Sequence, residues 1–148
     1  MTTLAALVSA AVLVALAVLH LYWARGGRWP GTDEASLART VVGVPGADRM
    51  PGPLACVAVA LALAVAATLP LAAQGLVGVP IPAGGVRVLT WLAAGVFALR
   101  GLGGFFEARF RGGPPVEPFH RLNRQLYSPL CLVLAALLVA ASVAPDAA

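Results

Sequence analysis

The chain has 148 residues, 60% of them hydrophobic and only 11% charged, where a soluble domain carries about 25% charged residues. A soluble fold this small keeps too much surface to hide that apolar content, so the composition excludes a soluble enzyme, a nucleic-acid module and a disordered tail. Ten basic residues, all Arg, outnumber six acids for a net charge of +4, and they gather at the ends of apolar runs, which suits lipid headgroups better than nucleic acid.

The first apolar run extends from Leu4 to about Trp23, broken only by Ser9 and His20, and is closed by Gly26, Gly27 and Pro30. It has no Arg before Arg25 and is longer than the apolar core of a signal peptide, so a retained span is expected. After it, Thr32 is positioned to cap a short helix with Asp33 and Glu34 in its first turn and Arg39 toward its end, an order that suits the helix dipole. Leu37, Val41 and Val44 would share its apolar face and Pro45 would end it. The second run spans Pro53–Leu71, with Pro51 and Pro53 at its start, where a missing N–H costs nothing. Pro70, Pro80 and Pro82 bracket the next connection. The third run spans Val86–Phe106. In the connection after it, Pro118 would open a turn with Phe119, Leu122 and Leu126 on one side. The fourth run covers about Ser128–Ala144, with Ser128 as N-cap and Pro129 at N1; a continuous helix from Leu122 with a mild kink is the competing reading.

The four runs are about 17–21 residues long, and about 20 helical residues cross a hydrocarbon core. Lipid-embedded backbone must satisfy its own hydrogen bonds, so each run is expected to be a helix. The predicted fold is therefore all-α: one four-span domain over residues 1–148, an antiparallel transmembrane bundle with short interfacial helices in two connections. The connection from residue 25 to 52 holds Arg25, Arg28, Arg39 and Arg49, and that from 107 to 127 holds Arg109, Arg111, Arg121 and Arg124, against Arg87 alone at the opposite end. The positive-inside rule then places both connections in the cytoplasm and both termini outside a plasma (inner) membrane. Ala58, Ala62 and Ala66, like Ala60 and Ala64, recur at a spacing that allows close helix approach, although Ala is abundant throughout.

Chemistry gathers at the Arg-rich end. His20, Tyr22, Trp23 and Arg25 come from the first span, Cys56 from the second, Arg100 and Glu107 from the third, and Asn123, Tyr127 and Cys131 from the fourth. At 1.5 Å per residue His20 lies about 6 Å and Arg100 about 9 Å inside its span end. An intramembrane Arg is costly and marks a functional-site candidate, with snorkelling to the interface as the bland alternative. Glu107 falls on nearly the same helix face as Arg100, so the two could pair through an intermediate group. The site predicted from these residues uses Arg100, Tyr22, Trp23, Asn123 and Arg25 to bind a ligand and His20, Glu107 and Tyr127 as acid–base groups. The opposing readings are a His20 bonded to a backbone carbonyl and an aromatic interfacial belt. His120 reads as an interfacial residue. Cys56 and Cys131 lack a C-x-x-C motif and lie toward the reducing face, so packing is preferred over a disulfide. They also lack the ligand-pair spacing of a metal site with His20, so no metal is expected, and the sequence names no cofactor.

Two stretches, His20-Leu21-Tyr22-Trp23-Ala24-Arg25-Gly26-Gly27-Arg28-Trp29-Pro30 and Leu126-Tyr127-Ser128-Pro129-Leu130-Cys131-Leu132, together with Arg100-Gly101-Leu102-Gly103-Gly104-Phe105, resemble a family of small uncharacterised bacterial integral membrane proteins with a domain of unknown function. The resemblance implies four spans and brings no activity, cofactor or catalytic assignment. The family pattern has an acidic residue four positions before the matching Tyr, where this chain has Asn123, which weakens any role needing a carboxylate there. The leading functional expectation is binding, with chemical modification left open, of a lipid or lipophilic small molecule at the Arg-rich end. The alternatives are an accessory or assembly protein acting through helix–helix contacts, and a small transporter or channel component. The outer half offers a translocation path little polar lining unless the protein homo-oligomerises.

Overall fold

Hydropathy dictates the long elements and capping chemistry dictates where they stop. The structure, a computed structural model, describes residues 1–111 and 115–143, and within them all side chains but those of Ala108 and Arg111. In chain order the helices are α1 (Thr2–Ala24), α2 (Glu34–Val41), α3 (Pro53–Ala73), α4 (Ala83–Arg111), α5 (Phe119–Leu122) and α6 (Ser128–Ser142), with a π-helical turn, Asn123–Tyr127, joining α5 to α6. No strand occurs among the described residues. Four helical segments are long and apolar enough to cross a membrane: Thr2–Ala24, Pro53–Ala73, Ala83–Glu107 and Phe119–Ser142. At most 33% of any of their most apolar stretches is buried inside the bundle, so the outward apolar faces require a lipid solvent rather than a protein core.

The strongest packing pairs α1 with α3 and α4 with α6, and the ring closes through α1–α6 and α3–α4. Leu13, Ala67, Ala94, Leu134 and Leu138, one or two from each span, fill the centre. Buried Ser9 and Thr90 donate to carbonyls of their own helices, Ala6 and Val86, at 3.1 and 2.8 Å, so these polar groups enter the core without needing a partner helix.

The end of α1 follows from two glycines. Gly26 adopts φ +82°, and the N–H groups of Gly26 and Gly27 donate to the carbonyls of Trp23 and Tyr22 at 2.9 and 3.0 Å. This is a Schellman termination, which satisfies carbonyls that the helix would otherwise leave unpaired.

Several boundaries differ from the sequence expectation. The N-cap of α2 is Asp33 and not Thr32: its Oδ1 accepts from the Ser36 N–H at 2.7 Å, while Ser36 Oγ accepts from the Asp33 N–H at 3.0 Å. That reciprocal box satisfies two backbone donors where a lone Thr would satisfy one. The bonded Ser36 backbone also holds the Asp33 carboxyl below the usual carboxylate range. Because α2 ends at Val41, Val44 lies outside the helix and is exposed rather than sharing a face with the buried Leu37. Pro70 sits inside α3, which runs to Ala73; so near the C-terminus the lost N–H removes one bond and does not stop the helix. The α4 helix continues past Phe106 to Arg111. The fourth helical run begins at Phe119, so the continuous reading holds and Ser128 is no N-cap. Its wide turn absorbs the missing donor of Pro129 without a break. The turn also rotates Leu126 outward, leaving it 53% exposed while Phe119 is buried. Ala144, the expected last residue of the fourth span, lies outside the described residues.

Candidate functional site

One end of the bundle is covered by the two connections, and they dock on each other. Gly43, with φ +67°, ends α2 and lies directly against the ring of Phe119, where a methyl group would collide with it. Phe119 in turn stacks obliquely on Tyr127, centroids 6.0 Å apart. The Tyr127 hydroxyl donates to the Thr40 carbonyl at 3.2 Å. These contacts hold the C-terminal end of α2 above the junction of α5 and α6, so the two short helices of the connections are docked on each other at this end of the bundle.

Beneath this pair lies a buried carboxamide. Asn123 is fully buried and every polar atom of its side chain is engaged. Its Oδ1 accepts from Arg100 Nη2 at 2.9 Å and from Ser128 Oγ at 3.3 Å. Its Nδ2 donates to the Gly104 carbonyl at 2.8 Å and to Glu107 Oε2 at 2.7 Å. Asn123 is thus the intermediate group between Arg100 and Glu107. Two local features make the arrangement possible. The π-helical turn aligns Asn123 with Ser128 five residues on, a pairing that an α-helical turn does not give. Gly104 leaves room for it: a methyl there would collide with Ser128 Oγ and Arg100 Nη1. Gly101, one turn earlier, lies against Leu132 and the Ser128 carbonyl, so α4 and α6 approach closely along this face.

Arg100 is exposed and Glu107 half-buried, and both line a groove of about 520 Å³ with Val41, Val42, Leu99 and Phe119. Among the described residues the groove therefore combines apolar walls with a cation and a carboxylate. A guanidinium carries five N–H donors; with Nη2 fixed by Asn123, the group is held at the groove with donors left for a ligand. A second concavity is lined by Glu117, Pro118, His120, Arg121, Arg124 and Gln125, none of them buried.

The other expected site residues engage elsewhere. His20 Nδ1 is 2.7 Å from the Leu16 carbonyl, to which it donates, and its ring meets Trp23 edge-on at 4.9 Å. The Tyr22 hydroxyl accepts from the Arg28 and Trp29 N–H groups at 3.3 and 3.4 Å, and Trp23 Nε1 donates to the Trp29 carbonyl at 2.8 Å. Tyr22 and Trp23 thus shape the turn after α1, and Arg25 is its exposed C-cap. Cys56 is buried, with Sγ 3.6 Å from the Pro51 carbonyl, and both it and Cys131 are free thiols. No His, Cys, Asp or Glu cluster able to hold a metal occurs among the described residues. Ser128, Gly104 and Thr40 join the site although their sequence contexts suggest only a cap, a small residue that allows close approach and a residue of the short helix; the i, i+5 spacing of Asn123 and Ser128 is the signal that a π turn would have made readable.

The chain matches, over residues 13–138, the model of a family described as protein of unknown function (DUF3995). No curated protein and no solved structure matches it. The chain belongs to the DUF3995 family, whose description carries neither an activity nor a ligand.

Proposed function

We propose that this protein binds a membrane lipid or a lipophilic small molecule at the groove between α2, α4 and α5, with Arg100 holding the polar head. The observation that carries this reading is the Arg100 guanidinium, anchored on the buried Asn123 and opening onto apolar walls. A cation fixed in that setting recognises an anionic headgroup, while Val41, Val42, Leu99 and Phe119 offer a surface for hydrocarbon. The distribution of Arg supports placing this end at the cytoplasmic face of a plasma membrane, with both termini outside. In this reading Glu107 and Asn123 position the head, and Tyr127 holds the α2 wall in place.

Native mass spectrometry of the protein purified in mild detergent tests the proposal. The expected result is a co-purified amphiphile that is lost on Arg100→Ala. A wild-type protein that carries and accepts no amphiphile, or an Arg100→Ala variant that retains it undiminished, would refute it. A second reading, assembly through helix contacts, is favoured by the outward exposure of Ala58 and Ala62 on α3. Cross-linking of an Ala62→Cys variant through that face in membranes would support it.

A further inference from the structure

We infer that the concavity on the outer side of α5 and the π-helical turn binds the phosphate of an anionic phospholipid, held between Arg121 and Arg124. This second site shares no lining residue with the Arg100 groove and does not depend on the reading given to it. Its chemistry follows from helical register. Phe119 and Asn123 are buried against the bundle, so Arg121, Arg124 and Gln125 are turned outward and exposed. Together with His120 and Glu117 they line a space of about 590 Å³. Arg121 and Arg124 are three positions apart on a helix, which brings their Cβ atoms to about 5–6 Å, and like charges at that spacing repel. Among the described residues nothing relieves the repulsion: neither arginine nor His120 makes a hydrogen bond or ion pair through its side chain. Glu117 lines the same space but is bonded to none of them, and two guanidiniums outweigh one carboxylate. Each guanidinium brings five N–H donors, and a phosphate set between them accepts charge-assisted bonds from both at once.

Position selects a lipid over a soluble phosphate compound. The run Phe119–Ser142 is long and apolar enough to cross a membrane, and the concavity occupies its first turns, the level at which headgroups lie. Leu126, two residues past Arg124, is 53% exposed, and Val133, about two turns further on, is 55% exposed. A phosphate on the two arginines therefore leaves an acyl chain a path along Leu126 and Val133 into the span. The excess of cation also selects among lipids: a glycerol head adds no positive charge, whereas a choline ammonium would face the arginines.

The test is a native mass spectrometry titration of the full chain in detergent with dioleoyl phosphatidylglycerol or dioleoyl phosphatidylcholine. Wild type and Arg100→Gln, which disables only the groove, are both expected to hold one phosphatidylglycerol about tenfold more tightly than phosphatidylcholine, roughly threefold for each exposed arginine. Adding Arg121→Gln and Arg124→Gln to either should remove that one lipid, with thermal unfolding unchanged because both side chains are exposed. Glu117→Gln should tighten phosphatidylglycerol about twofold to threefold. A preference that survives the Arg121→Gln and Arg124→Gln pair in the Arg100→Gln background would overturn the inference, as would equal binding of the two lipids by Arg100→Gln. Loss of all preference on Arg100→Gln alone would overturn it too, while supporting the groove. Displacement of the lipid by millimolar inorganic phosphate would overturn the choice of a lipid as occupant.

Discussion

Each end of the bundle is organised by a single side-chain amide, and the two amides do different work. At the end that holds both described termini of the spans, Gln74 Nε2 donates to the carbonyls of Ala141 and Val143 at 2.8 and 3.1 Å, and its Oε1 accepts from Thr3 Oγ1 at 3.5 Å. The two carbonyls are groups that a helix C-terminus leaves unpaired, and Gln74 is half-buried; water or headgroups can replace it. At the other end Asn123 is fully buried and joins two oppositely charged side chains. An amide that ties off helix ends is a local fastener. One that holds a cation and a carboxylate at the edge of an apolar groove sets the electrostatics of a site.

That contrast is sharpest in stability. Asn123→Leu removes four hydrogen bonds and leaves the Gly104 carbonyl buried against an apolar side chain, which should cost about 3 kcal/mol. Gln74→Ala should cost about 1 kcal/mol, because hydrogen bonds in membrane proteins are individually weak and water can reach the freed carbonyls. Thermal or denaturant unfolding in the same detergent measures both. Equal losses would show that the two junctions are equivalent fasteners after all.

A second pair of variants isolates the space that the Asn123 junction needs. Gly104→Ala should destabilise by about 2 kcal/mol, since the added methyl meets Ser128 Oγ and Arg100 Nη1 in a packed interface. Gly103→Ala, one residue away, meets nothing within 4 Å and should be neutral or slightly stabilising through helix propensity. Unfolding midpoints decide the matter: if Gly103→Ala costs as much as Gly104→Ala, the close approach of α4 to the Asn123–Ser128 turn is not what limits this position.

What the sequence made legible follows the range of the forces involved. The spans were readable because hydrophobicity is summed over about 20 residues and tolerates local noise. Arg100, Glu107 and Asn123 stood out because ionisable and amide groups are rare in such runs. The bridge of Asn123 between the other two depends on one π-helical turn, a single-residue change of register that hydropathy cannot encode. The same turn removed Leu126 from the face of Phe119. The docking of α2 on α5 joins Thr40 to Tyr127 and Gly43 to Phe119 across about half the chain, and residue spacing carries no information about such a contact. At the N-terminus of α2, Thr32 and Asp33 are both good caps; only the reciprocal bond to Ser36 decides between them.

The wall that α2 provides should respond more weakly than the junction beneath it. Tyr127→Phe removes the bond to the Thr40 carbonyl while keeping the ring against Phe119. The expected loss is about 0.5–1 kcal/mol, seen as faster proteolysis or hydrogen exchange in residues 34–41 with little change in global unfolding. A variant that unfolds the whole bundle at lower temperature instead would mean that the α2–α5 pair is an integral part of the core.

The smallest effect concerns how α2 begins, and its sign is set by the Asp33 carboxyl. Hydrogen bonding from the Ser36 backbone, then from the Ser36 side chain, holds this group below the ordinary carboxylate range, against a small opposing contribution from burial. A carboxyl whose folded-state value is depressed contributes stability above its unfolded value, about 3.9, and that contribution is lost as the pH falls through the lower folded value. The Ser36 amide should therefore exchange faster with solvent, after correction for intrinsic rates, as the pH is lowered through this acidic window. Asp33→Ala should exchange fast at every pH. The backbone amides of the central Leu13 and Leu134 should keep their protection throughout the same titration, because they lie in another part of the fold. Loss of protection at both places together would mean that the α2 cap and the bundle core open as one unit, and would erase the distinction between an adjustable wall and a fixed bundle.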